Sequence, residues 1–142
     1  MSYMTAQGLI KTLLLTLTST FPSGSVTEGD LRCLDTGGLT NYAVLFPGAV
    51  ISYDTATSDP RTHEWECLID LFTRFVDDTS YSTFGTLRDT VISKLDTGQG
   101  LSATYFIMRI ESDGDPQELF DRQGAGPFFI MQRLRVYFVE NT

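Results

Sequence analysis

The chain is poor in the residues that do chemistry. Its 142 residues hold one histidine, His63, two cysteines, Cys33 and Cys67, and only 10 lysines and arginines against 18 aspartates and glutamates. The single histidine removes the metal and triad motifs that lean on such side chains. His63-Glu64 begins like the zinc-protease pattern HExxH, but the fourth residue after His63 is Cys67 rather than a second histidine. No Ser-His-Asp or Cys-His set can be assembled around a histidine with no marked partner. The cysteines are too far apart for a CxxC pair. Cys67 falls on the apolar face of an alternating run, the place of a buried reduced thiol, which fits a reducing compartment. A net charge of −8 argues against a surface that grips phosphates, since such binding needs clustered Lys and Arg to release counterions. It is compatible with DNA passing a wall that does not hold it. No apolar run approaches the roughly 18 residues of a membrane-spanning helix. Leu13-Leu14-Leu15 has no basic region before it and no small-residue cleavage site after it, and reads as a helix face, not a signal peptide.

What the chain does have is patterning. Apolar residues make up 42% of it, enough for one folded domain spanning 1–142. Leu9, Ile10, Leu13, Leu14 and Leu17 share a helical face and predict a first helix from about Tyr3 to Thr20. Gly24 to Asn41 reads as loop. Tyr42–Phe46 and Ala49–Tyr53 read as two short strands about a Pro47-Gly48 turn, and Asp54–Pro60 as a polar turn. The longest alternating run, Thr62 to Phe72, sets His63, Trp65, Cys67, Ile69 and Leu71 on one face. Glu64, Glu66, Leu68, Asp70 and Phe72 take the other. Leu68, Leu71, Phe72 and Phe75 also allow a helix, but period two covers more of the run. Phe84, Leu87, Arg88, Val91 and Leu95 predict a second helix with Ser80 or Ser82 as N-cap, closed by Gly98 and Gly100. Thr104–Glu111 reads as a strand, Ser112–Gly126 as a polar acidic loop, and Phe128–Glu140 as a final strand. Leu134, Val136 and Phe138 share one face of that strand; Arg133, Arg135 and Tyr137 share the other. The element order is α-β-β-β-α-β-β. The fold class is α+β, a mostly antiparallel sheet with two helices packed on it. Trp65, Ile69, Leu71, Val91, Leu134, Val136 and Phe138 are the expected core.

The remaining motifs read as structure. Asp113-Gly114-Asp115 opens like a calcium loop but lacks the later ligands and the closing Glu. Gly98-Gln99-Gly100 and Gly124-Ala125-Gly126 lack the strand-then-helix setting of a dinucleotide site. Asp77-Asp78 precede a helix, where negative charge suits the dipole. No catalytic, cofactor-binding or metal residues are assigned, and no enzyme activity is expected. Two features stand out. Arg133, Arg135 and Tyr137 form either a solvated face or an interface patch, Arg and Tyr being enriched at interface cores. Asp113, Asp115, Glu118 and Asp121 gather on a stretch too polar to pack as core.

The order of elements resembles the tail terminator family of long-tailed bacteriophages, also called tail-completion or minor tail proteins. The resemblance is carried by the helix before Leu17, the strands around Leu45-Phe46-Pro47-Gly48, and the run Glu64-Trp65-Glu66-Cys67-Leu68-Ile69-Asp70-Leu71-Phe72. Leu87-Arg88-Asp89-Thr90-Val91-Ile92 and the ending Phe128-Phe129-Ile130-Met131-Gln132-Arg133-Leu134-Arg135-Val136 complete it. It spans most of the chain and contains no diagnostic motif. It implies a structural virion protein, assembled in the host cytoplasm and sited at the neck. Such proteins form a homohexameric ring that caps the finished tail tube and joins it to the head-side connector, with DNA passing through without specific binding. The implied partners are further copies of the chain, the tail tube protein and a head-closure or connector protein, with no membrane. Arg133, Arg135 and Tyr137 then become candidates for a subunit or tube interface, and Asp113, Asp115, Glu118 and Asp121 for a lumen or docking loop. Another neck or tail component, a small acidic binding domain and an enzyme are the alternatives.

Overall fold

The computed structural model describes residues 2–31, 34, 38–51, 64–97, 105–119 and 128–140. Its elements are α1 (Ser2–Leu15), β1 (Val26–Glu28), β2 (Asn41–Ile51), β3 (Glu64–Arg74), α2 (Thr79–Thr97), β4 (Tyr105–Leu119) and β5 (Phe129–Glu140). The strands form one sheet in the order β1-β2-β3-β5-β4. β1 runs parallel to β2, and every other neighbouring pair is antiparallel. The α+β class, the element order and the mostly antiparallel sheet agree with the sequence.

The pairing of β3 with β5 organises the core. It runs without a register shift from Glu64 opposite Val139 to Arg74 opposite Phe129. Side chains alternate along a strand, so this register gathers Trp65, Cys67, Ile69 and Leu71 with Leu134, Val136 and Phe138 on one face. Both helices cover that face. α1 presents Ala6, Ile10 and Leu14, spaced four apart, and α2 presents Phe84, Leu87, Val91 and Leu95. Trp65 meets Phe138 edge-to-face at 5.8 Å, and Tyr105 meets Phe138 at 6.4 Å. All seven expected core residues are buried. Polar anchors join the layers: buried Gln7 of α1 donates from Nε2 to Glu28 Oε1 of β1 at 3.1 Å.

Several boundaries depart from the sequence reading. α1 stops at Leu15, not Thr20, and the chain proceeds through turns closed by Leu17 N–H to Leu14 O at 3.0 Å and Phe21 N–H to Leu17 O at 2.8 Å. Threonines there are weak helix formers, and the Thr16 hydroxyl donates to Leu13 O at 2.6 Å, competing for a helical acceptor. The stretch read as loop before Asn41 contains β1, too short to announce itself and held by its parallel partner. Pro47-Gly48 does not turn the chain. β2 continues through it with a register shift between Pro47 and Val50; proline is tolerated in a strand at such a bulge. Gly48 is required there, since a Cβ would lie 2.6 Å from Glu66 Oε1. α2 is capped neither by Ser80 nor by Ser82. Asp77 Oδ1 accepts from Thr79 N–H at 2.9 Å, while Ser80 Oγ accepts from Asp77 N–H at 3.3 Å. This reciprocal arrangement makes Asp77 the N-cap and Ser80 the returning third residue. The acidic stretch from Ser112 to Leu119 is strand, not loop, because β4 continues that far against β5. Cys33, His63, Gly98, Gly100, Asp121, Gly124, Gly126 and the turn expected over Asp54–Pro60 lie outside the described residues.

Two outcomes follow from this packing. Trp65→Ala empties a buried aromatic site between β5 and the helices and is expected to destabilise the fold by about 3–5 kcal/mol. Urea denaturation followed by circular dichroism measures it, and a wild-type midpoint would contradict the packing. Asp77 is fully exposed; the Thr79 hydroxyl and then the Thr79 N–H hold its carboxyl below the ordinary range. A depressed folded value means that the cap's contribution is present above the unfolded value and is lost as pH falls through the folded one. The Thr79 amide resonance should therefore titrate with a midpoint below the ordinary aspartate value of about 3.9. A midpoint at or above that value would contradict the cap.

Candidate functional site

The sheet face turned away from the helices has two parts. Tyr42, Val44, Phe72 and Phe129 form a second buried cluster, with Leu34, Leu39, Phe46 and Met131 packed at its margin. The segment entering β2 is fastened over it. Leu39 N–H donates to the Tyr42 hydroxyl at 2.7 Å. Arg74 Nε donates to Leu39 O at 3.3 Å, and its guanidinium lies 5.2 Å from the Phe129 ring centre.

Beside this cluster lies a charged field that the strand registers create. β3 sets Asp70 opposite Arg133 and Glu66 opposite Tyr137. On the other flank of β5, Asp113 stands opposite Arg133, Glu111 opposite Arg135 and Arg109 opposite Tyr137. The cations of β5 therefore lie between acids on both neighbouring strands. Arg133 makes a fork: Nε donates to Asp70 Oδ1 at 2.7 Å and Nη2 to Oδ2 at 3.0 Å. Arg135 bridges three strands, with Nη1 donating to Glu66 Oε2 at 3.0 Å and Nη2 to Asp113 Oδ2 at 2.8 Å. The Arg109 guanidinium stacks 4.1 Å from the Tyr137 ring centre and pairs with Glu111 at 3.3 Å.

Burial orders this field. Glu66 and Asp70 are 5% and 4% exposed, while the arginine side chains above them remain about one-third exposed. The carboxylates form the floor and the guanidiniums the surface. Hydrogen bonding to Asp70 raises the Arg133 pKa above its ordinary value. Bonds to Glu66 and then Asp113 do the same for Arg135. Burial, followed by the hydroxyl's bond to Glu66, raises Tyr137. These shifts keep Arg133 and Arg135 charged and Tyr137 neutral near neutral pH.

The structure brings Arg133, Arg135 and Tyr137 together on one face, as the alternation predicts. Their charges, however, are met within the chain. Asp70, Glu66 and Asp113 occupy the two guanidiniums. Among the acids assigned to a loop, Asp113 sits on β4 and is spent on Arg135, and Asp115 and Glu118 are exposed on the same strand. A bulge between Asp113 and Gln117 accommodates Gly114 at φ +74 and Pro116. It is pinned by buried Gln132, whose Nε2 donates to Gly114 O at 2.7 Å. Sequence reasoning missed Asp70, Glu66, Arg109 and Gly48 as members of the site. Glu66 and Asp70 were placed on the correct face, but only knowledge of the β3–β5 register pairs them with β5.

In this arrangement Arg133, Arg135 and Arg109 are held in ion pairs. Among the described residues no group of three His, Cys, Asp or Glu side chains is placed to hold a metal ion, and no helix is long and apolar enough to cross a membrane.

No protein-family model matches the chain, and no curated protein matches it. Among solved structures, a chain from the virion of a native gene transfer agent particle aligns with a TM-score of 0.57 at 15% identity, over 95% of this chain and 94% of its own. A second solved structure aligns over 96% of each chain at 14% identity, but its TM-score of 0.46 is too low to bear on the fold. The first likeness is one of fold.

Arg133→Met leaves the Asp70 carboxylate on the floor of the face without its fork. The expected loss is about 1–3 kcal/mol, above the value of an exposed pair because the acceptor is buried. Asp70→Asn in the same background should recover part of it. Chemical denaturation of the two singles and the double measures the coupling, and additive effects would contradict a shared pair.

Proposed function

We propose that the chain is a non-enzymatic structural protein of a phage-like virion that closes into a ring at the tail end. The observation that carries this reading is the fold itself, shared along nearly its full length with a chain from a gene transfer agent virion. The resemblance of its element order to tail terminators supplies the finer role. In that role a homohexameric ring caps the completed tail tube, joins it to the head-side connector and lets DNA pass through the lumen.

The candidate site fits that role. Arginine, tyrosine and methionine are favoured at interface cores, and here Arg133 and Arg135 are already fixed by ion pairs, so little side-chain freedom remains to be lost on contact. We assign Arg133, Arg135 and Tyr137 to a subunit or tube interface. Asp115, Glu118 and Asp121 are assigned to the lumen or to the docking of the adjacent ring, while Asp113, bonded to Arg135 at 2.8 Å, goes with the interface face. A wall that is negative on average neutralises no phosphates and lets DNA slide.

Particles assembled without this chain test the role. The expected result is tails of unregulated length that do not join heads. Tails of normal length joined to heads would exclude the terminator role, and headless tails of normal length would move the chain to another neck position.

A further inference from the structure

The second bulge in β4 is not fixed by the alternation that fixes the rest of the sheet. Asp113 stands opposite Arg133 and Gln117 opposite Met131, so four steps along β4 are matched by two along β5 and two residues are extra. Side chains alternate with period two, so an extra pair leaves every later residue on its own face. A regular ladder continued from Asp113 would set Gly114 opposite Gln132, Asp115 opposite Met131 and Gln117 opposite Phe129. Each of these residues would keep the face it has in the observed pairing. The hydrophobic pattern therefore cannot choose between the two registers.

One buried side chain makes the choice. β5 turns Ile130, Leu134, Val136 and Phe138 into the core, and among them Gln132, 3% exposed, is polar. Arg88 Nη1 of α2 donates to Gln132 Oε1 at 3.4 Å. A guanidinium only donates, so this bond aims Nε2 the other way, and Nε2 donates to Gly114 O at 2.7 Å. That carbonyl lies inside the bulge, where Gly114 takes φ +74, a conformation that suits glycine. Pro116 has no N–H and leaves no ladder donor unpaired there. A regular ladder needs extended backbone at Gly114 instead. That re-aims the carbonyl and leaves the buried Nε2 without its acceptor.

We propose that Gln132 is the register lock of β4: its amide, aimed by Arg88, selects the bulged pairing over a regular one that the strand faces allow equally. The consequence is chemical. In the regular register Asp115 replaces Gln117 beside Met131, which sets one more carboxylate next to the arginine face. The strand beyond the bulge also moves by two residues, about 7 Å. Helix α2 thereby governs which side chains the outer strand presents. The lock is a property of the single chain and stands apart from the ring reading.

Cross-strand nuclear Overhauser contacts in the isotope-labelled full chain test the lock. The wild type should show Asp113–Arg133 and Gln117–Met131 contacts. Gln132→Leu keeps the position filled and removes the donor. An Asp115–Met131 contact should then appear, alone or beside the original, with Asp113–Arg133 unchanged. Gly114→Ala should act the same way. A Cβ at Gly114 has open space around it, so that variant works through the unfavourable positive φ alone, and it decides the matter if the leucine variant does not fold. A Gln117–Met131 contact kept as the sole register in either folded variant overturns the lock, as does a wild type already in the regular register. Loss of every contact beyond Asp113 overturns it too, because Gln132 would then hold the pairing rather than choose it.

Discussion

The unbroken antiparallel pairing of β3 with β5 sets both faces of the sheet at once. Its register puts Trp65 beside Phe138 and Ile69 beside Leu134 under the helices, and by the same step puts Asp70 beside Arg133 on the opposite side. A slip of one residue would turn the core outward and bring the arginines beneath the helices. The bulges fall on the flanking pairings, β2 with β3 and β4 with β5, so irregularity is absorbed at the periphery while the centre stays in register.

The ionic face has a physical logic of its own. Ion pairs that are partly buried contribute little net stability, because desolvation offsets attraction. Hydrophobic residues of equal size would hold the sheet as well but would leave an apolar surface prone to non-specific association. Arginines bonded to buried carboxylates give instead a surface of fixed geometry and almost balanced charge. Gly48 belongs to this design, since any side chain there would displace Glu66, and Glu66 is what orients Arg135. For the ring subunit proposed above, such a surface would offer register rather than raw affinity.

Much of this fold was legible because it rests on strict alternation. The run from Glu64 to Phe72 and the run from Phe129 to Phe138 show their faces directly, and the helix faces of Ile10, Leu14, Leu87 and Val91 show theirs. What could not be read depends on partners distant in sequence. β1 is a strand only because β2 lies beside it. Asp-Gly-Asp-Pro at 113–116 has the local preferences of a loop, yet Arg133 and Arg135 across the ladder draw it into β4. Pro47-Gly48 has turn chemistry and is a bulge, because β3 continues to pair on both sides of it. In the site, the membership of one face was readable, whereas the partner of each charge was not.

The central claim is the proposal that this chain is a ring-forming virion subunit. A cryo-electron microscopy map of the assembled particle tests it most directly. The account predicts a single hexameric ring of this chain at the tail end, with the arginine face against protein and Asp115 and Glu118 toward the lumen or the next ring. A ring of another number, a position away from the neck, or an arginine face open to solvent would contradict it.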